Sequence, residues 1–183
     1  MTIRKLRTID LIIFTAIGIL LDVVVGLEGF FGIAAFVSIG IPLVVLCYIR
    51  WEKIALISNL ALALVHLFLY DAPFLSRLAH SLALLTLALA ILVQRLPSFR
   101  ATRMSLLQVM GLYAGLYLVM ILTEWGLLQV FNLPVPFVNM VLNHIINLGI
   151  GAFLLLLMAL QKELLVHMDP YLREKSEENK QHE

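Results

Sequence analysis

The sequence predicts an all-α integral membrane protein, a bundle of six transmembrane helices with both termini cytoplasmic. Three observations lead there. Apolar residues make up 62% of the 183 residues and charged residues 14%, against about 45–50% and about 25% in soluble domains. The apolar residues are gathered into long runs, each close to the ~20 helical residues that cross a hydrocarbon core. The basic residues sit on alternate connections. A spanning backbone in lipid must satisfy its own hydrogen bonds, so such runs are helices. They lack the two-residue alternation of barrel strands.

The runs are Ile9–Leu27, Phe31–Ile49, Ile54–Tyr70, Leu75–Val93, Leu106–Leu128 and Phe137–Leu160. The first follows a basic start but holds Asp10 and Asp22 and has no clear small-x-small cleavage site, so it reads as a retained helix rather than a signal peptide. Arg4, Lys5 and Arg7 precede it, Arg50 and Lys53 follow the second run, Arg95, Arg100 and Arg103 follow the fourth, and Lys162 follows the sixth. The other connections carry only Arg77. By the excess of Lys and Arg on cytoplasmic loops, both termini lie inside. Residues 1–161 therefore read as the transmembrane domain and residues 162–183 as a short polar cytoplasmic tail, a solvated helical extension that frays after Pro170.

Net charge is +1, which offers no basic field for nucleic acid. The single cysteine, Cys47, excludes an internal disulfide framework and a cysteine-rich metal centre.

Polar side chains inside apolar spans are costly, so their positions carry the functional information. On the predicted topology most of them occupy the outer half: Asp22, His66, Tyr70 and Asp71, Arg77 and His80, Glu124 and Trp125, and Asn139, Asn143, His144 and Asn147. Asn139, Asn143 and Asn147 are four apart and form one stripe. In the fifth run Tyr113, Tyr117, Met120 and Glu124 share a face opposite Gly111 and Gly115. That small-residue face is expected to pack on a neighbouring helix, leaving the tyrosine–glutamate face to line a cavity. The candidate substrate-binding residues are Tyr117, Glu124, Trp125, Asn143, His144, Asn147 and His80. The connection Leu128–Pro136 is apolar with two prolines; it reads either as a lid over the bundle or as a loop resting on the membrane surface.

No P-loop, G-x-S-x-G, H-E-x-x-H or C-x-x-C is present in the sequence. No enzyme activity and no cofactor is expected. His66, His80, His144 and Glu124 have ligand chemistry, but no local spacing supports a metal site, and none is expected. With no nucleotide site, any active transport must draw energy from a partner or an ion gradient.

Several features combine into a family resemblance. Ser38-Ile-Gly-Ile-Pro-Leu leads into the short basic turn at Arg50-Trp-Glu-Lys and straight back, and the last span holds Asn143, Asn147, Gly149 and Gly151. With its size and six spans, the chain resembles the substrate-binding S components of energy-coupling factor (ECF) transporters. The resemblance implies capture of a vitamin or related micronutrient in the outer half. It also implies delivery by docking on a membrane coupling protein driven by two cytoplasmic ATPases. The Ala-x-x-x-Ala docking pattern of helix 1 in that family is replaced here by Thr15, Ala16 and Gly18. The chain is also similar in size and layout to MreD, a non-enzymatic membrane scaffold of cell-wall synthesis, on Leu69-Tyr70-Asp71 and Lys162-Glu163-Leu164.

Overall fold

A computed structural model describes residues 2–28, 37–69, 72–99, 101–133, 135–161 and 163–181, the side chains of Asn143 and of residues 178–181 excepted. Among the described residues the fold is all-helical. In order the helices are α1 (Ile3–Glu28), α2 (Gly40–Trp51), α3 (Leu56–Leu69), α4 (Phe74–Leu84), α5 (Ala90–Val93), α6 (Leu106–Val130), α7 (Phe137–Ala159) and α8 (Met168–Gln181). Short 3₁₀ turns join α2 to α3 and α4 to α5. Among the described residues five stretches are long and apolar enough to cross a membrane: Ile3–Gly26, Gly40–Leu69, Phe74–Val93, Leu106–Val130 and Phe137–Ala159.

The stretch Gly40–Leu69 is two helices, not one. As a straight helix its 30 residues would reach about 45 Å. Yet one carboxylate, Asp22, touches Ser38 and Gly40 before and within α2 and His66 near the end of α3. The chain doubles back at Glu52, whose φ of 47° reverses the backbone. Tyr48 of α2 and Asn59 of α3 are hydrogen-bonded across this hairpin at 3.0 Å.

α2 is shorter than the predicted run Phe31–Ile49. It begins at Gly40, and residues 31–36 lie outside the described residues. Its start has a tertiary cause. The Ile39 and Gly40 N–H groups, orphaned at a helix N-terminus, donate to Asp22 Oδ1 at 2.6 and 2.9 Å. Ser38 Oγ accepts from the Ile41 N–H at 3.2 Å. A carboxylate from another helix thus caps α2 and meets the positive end of its dipole. Every residue of α2 is buried, which makes it the central rod of the bundle.

The other ends are set locally. Pro73 and Pro136 immediately precede α4 and α7, where a missing N–H costs nothing. Ser105 and Gln108 form a capping box at the start of α6. α6 ends in a Schellman turn. Asn132 takes φ 56°, its N–H donates to the Gln129 carbonyl, and Leu133 N–H donates to the Leu128 carbonyl.

Two expectations are corrected here. The Gly111 and Gly115 face of α6 points out of the bundle, and a Cβ built on either glycine would meet nothing within 4 Å. Close approach is instead made at Gly18 and Gly40, where α1 crosses α2, and at Gly151, where a Cβ would strike the Tyr113 hydroxyl. The tail is also not simply solvated. Pro170 lies in the first turn of α8, a permitted position, and the helix runs on to Gln181. Leu165, Val166, His167, Met168 and Tyr171 are buried. His167 N–H donates to the Thr102 carbonyl.

A clamp ties this end of the bundle together. Asp10 Oδ2 accepts from Arg50 Nε, Arg50 Nη2 and Trp51 Nε1 at 2.8, 2.6 and 3.0 Å. Arg50 Nη1 donates to the carbonyls of Glu163 and Leu164. One guanidinium therefore joins α1, α2 and the segment before α8.

Candidate functional site

Twelve residues further along α1 than Asp10, about 18 Å of helical rise, a second polar assembly is buried in the bundle. It starts at Asp22, which besides Ile39 and Gly40 accepts from Ser38 Oγ at 2.6 Å. His66 Nε2 of α3 lies 2.8 Å from Asp22 Oδ2. His66 Nδ1 lies 3.3 Å from His80 Nε2 of α4, with the two rings stacked. His80 Nδ1 lies 2.8 Å from Glu124 Oε2 of α6, and His144 Nε2 of α7 lies 3.4 Å from the same oxygen. The Tyr117 hydroxyl lies 3.1 Å from His144 Nδ1. One continuous chain of contacts, Asp22–His66–His80–Glu124–His144–Tyr117, therefore links α1, α3, α4, α6 and α7. Asp22, His66, His80, Glu124, His144 and Tyr117 are all buried.

Asn147 braces this chain from α7. Its Oδ1 accepts from the Ser38 N–H at 2.6 Å, and its backbone carbonyl accepts from the Tyr113 hydroxyl at 3.2 Å. Tyr113, Tyr117, Met120 and Glu124 form the inward face of α6.

The candidate residues divide accordingly. His80, Tyr117, Glu124, His144 and Asn147 belong to one assembly. Trp125 is set apart. Its indole N–H donates to the Val135 carbonyl at 3.0 Å and its ring meets Phe137 edge-on. Gln129 donates to the same carbonyl, so these two side chains pin the end of the Leu128–Pro136 connection to α6. The Asn139–Asn143–Asn147 stripe runs from an exposed Asn139 to a fully buried Asn147. Asn143 lies on α7 between them, with its side chain outside what is described, as are Tyr70 and Asp71.

Asp22, His66 and Ser38 were not among the candidate substrate-binding residues, yet they orient the whole assembly. The available signal was an acid and a histidine inside apolar spans. What the sequence could not supply was their pairing across 44 residues.

Electrostatically the assembly holds two carboxylates. Asp22 accepts from two backbone N–H groups and a hydroxyl and also faces His66. Glu124 meets two imidazoles. Its chemistry is that of a cation-seeking or hydrogen-bonding cluster, with the Tyr113 and Tyr117 rings beside it. Comparison with protein-family models, with curated proteins and with solved structures finds no match to this chain.

Proposed function

We propose that this chain is a substrate-binding subunit of a bacterial plasma membrane uptake system. On this reading it crosses the membrane six times with both termini cytoplasmic, and it captures a vitamin or related micronutrient from outside. It transforms nothing itself. Transport is driven by a membrane coupling protein with two cytoplasmic ATPases, the organisation implied by the resemblance to ECF S components.

The observation that carries the reading is convergence. Polar side chains from five helices meet in one buried assembly, far along the helices from the Arg50–Asp10 clamp. With the basic residues taken as cytoplasmic, that assembly lies in the outer half, where a captured solute would sit. Apolar and aromatic walls with a few fixed polar groups suit a small ligand. A scaffold has no need of such a cluster. For docking, Thr15 and Ala16 line an apolar groove of about 540 Å³ between α1 and α3.

Reconstitution into proteoliposomes tests the reading. The chain alone is expected to bind its solute but to show no ATP-dependent uptake. Accumulation by the isolated chain under an ion gradient would replace this function with secondary transport.

A further inference from the structure

The contacts around Glu124 have a direction that hydrogen-bond counting reveals. Asp22 Oδ1 accepts two backbone N–H groups and Oδ2 accepts the Ser38 hydroxyl. Asp22 is therefore the acceptor toward His66, and His66 Nε2 carries the hydrogen. In a neutral imidazole the other nitrogen then presents a lone pair. With both imidazoles neutral, His66 Nδ1 accepts from His80 Nε2, 3.3 Å away, and His80 Nδ1 turns a lone pair toward Glu124 Oε2 at 2.8 Å. Two acceptors at that distance repel, so a proton or a metal ion must lie between them. His144 brings a third donor atom to the same oxygen at 3.4 Å. The Tyr117 hydroxyl on its Nδ1 can accept as well as donate, so His144 can offer its Nε2 lone pair too.

We infer that His80, Glu124 and His144 form a binding site for one divalent transition-metal ion. The ligand atoms of these three buried residues lie within 4.8 Å of one another. Metal–ligand bonds of about 2.0–2.2 Å put the donor atoms of a tetrahedral ion about 3.4 Å apart, so small side-chain rotations complete the set. Two imidazoles and one carboxylate suit zinc, cobalt or nickel, and not the all-oxygen shells of calcium or magnesium. Three protein ligands leave at least one position for an exchangeable ligand. The outer partners are those a metal site needs. Asp22 and His66 fix the orientation of His80, and Tyr117 fixes that of His144. A divalent ion also compensates the Glu124 carboxylate inside an apolar span. The inference uses the same side chains as the uptake reading but rests on their geometry alone, and it concerns what they bind and not what crosses the membrane.

The test uses the full chain in mild detergent, stripped with a chelator and titrated with Co²⁺ alone. Visible d–d bands report coordination, and metal analysis after desalting reports stoichiometry. The expected result is one Co²⁺ per chain with a four-coordinate spectrum. Glu124→Gln and His144→Asn should each weaken binding by about 100-fold or more. His66→Gln touches no ion and should weaken it by about 10- to 100-fold while keeping the stoichiometry and spectrum. Monodisperse elution and unchanged helicity qualify each variant. The wild-type titration decides by itself if a variant does not fold. Absence of stoichiometric Co²⁺ on the wild type, or equal affinity in folded Glu124→Gln or His144→Asn, overturns the metal site. A metal-stripped wild type that takes up no Co²⁺ but binds an organic solute lost in folded Glu124→Gln would overturn it as well, and would leave the uptake reading standing.

Discussion

Asp22 offers the sharpest perturbation, because two substitutions there separate shape from charge. Asp22→Asn keeps an oxygen for the Ile39 and Gly40 N–H groups but turns an amide toward Ser38 and His66. Ser38 Oγ keeps its bond from the Ile41 N–H and has a second lone pair for one amide hydrogen, while the other faces His66. His66 must therefore present a lone pair at Nε2 and a hydrogen at Nδ1, and His80 must reverse in turn. The fold survives with the loss of charge-assisted bonds, a cost of about 1.5–3 kcal/mol. Asp22→Ala leaves the Ser38 hydroxyl, the Ile39 and Gly40 N–H groups and the His66 N–H without their acceptor. Each unsatisfied buried donor costs about 1–3 kcal/mol, so even the low end gives about 4 kcal/mol. That is a large part of a total stability of about 5–15 kcal/mol. Unfolding of both variants in mixed detergent micelles, followed by circular dichroism, measures the difference. If Asp22→Ala costs no more than Asp22→Asn, the hub is not what holds α1, α2 and α3 together. The Asn variant carries a second consequence. By reversing His80 it should place a hydrogen on Nδ1 and weaken Co²⁺ binding with little change in the fold.

Other predictions concern the frame around the site. Arg50→Ala strands Asp10 and two carbonyls at a clamp whose side chains are only 7% and 16% exposed. It should cost about 3 kcal/mol, the lower end for a broken buried pair, read as a lowered unfolding midpoint. Arg50→Lys should recover little of this, since an ammonium cannot reproduce the fork. In Gly40→Ala the new methyl would lie 2.5 Å from Leu62 Cδ1 and 2.6 Å from Asp22 Oδ2, an overpacking cost of about 1–3 kcal/mol that thermal unfolding should register. Gly115→Ala meets nothing and serves as its matched control. For topology, impermeant thiol labelling of intact cells should reach a cysteine placed at Asn132 and spare those at Ser98 and Glu178. Labelling at Ser98 from outside would invert the assignment of the outer half.

Much of the frame was legible because its causes are local. Proline placement and Ser105 start the helices, and the inward face of α6 follows from Tyr113, Tyr117, Met120 and Glu124 at helical spacing. What escaped the sequence depends on tertiary partners. α2 begins late because a carboxylate from α1 holds its first N–H groups. The Gly111–Gly115 motif has the spacing of a packing face, but among the described residues nothing comes within 4 Å of a Cβ placed on either glycine. Pro170 marks a helix start or a helix stop with equal local logic, and the buried contacts of Val166 and Tyr171 decide for a start. Within the site, Glu124 and His144 stand out as polar residues in apolar runs. Their assembly with His80 and His66 needed α3, α4, α6 and α7 in place, since the Asp22–His66 and His80–Glu124 contacts each span 44 residues. Trp125 shows the reverse case. It adjoins Glu124 in sequence, yet one step along a helix turns its side chain by about 100°, toward Val135 and Phe137.

The central claim is that the assembly from Asp22 to Tyr117 exists to hold a ligand. Native mass spectrometry of the full chain released from detergent, purified without chelator, tests it most directly. The wild type should carry one bound mass per chain, and the folded Glu124→Gln, His144→Asn double variant should lose it. A wild type that flies bare, or a double variant with the same bound mass, would contradict the account.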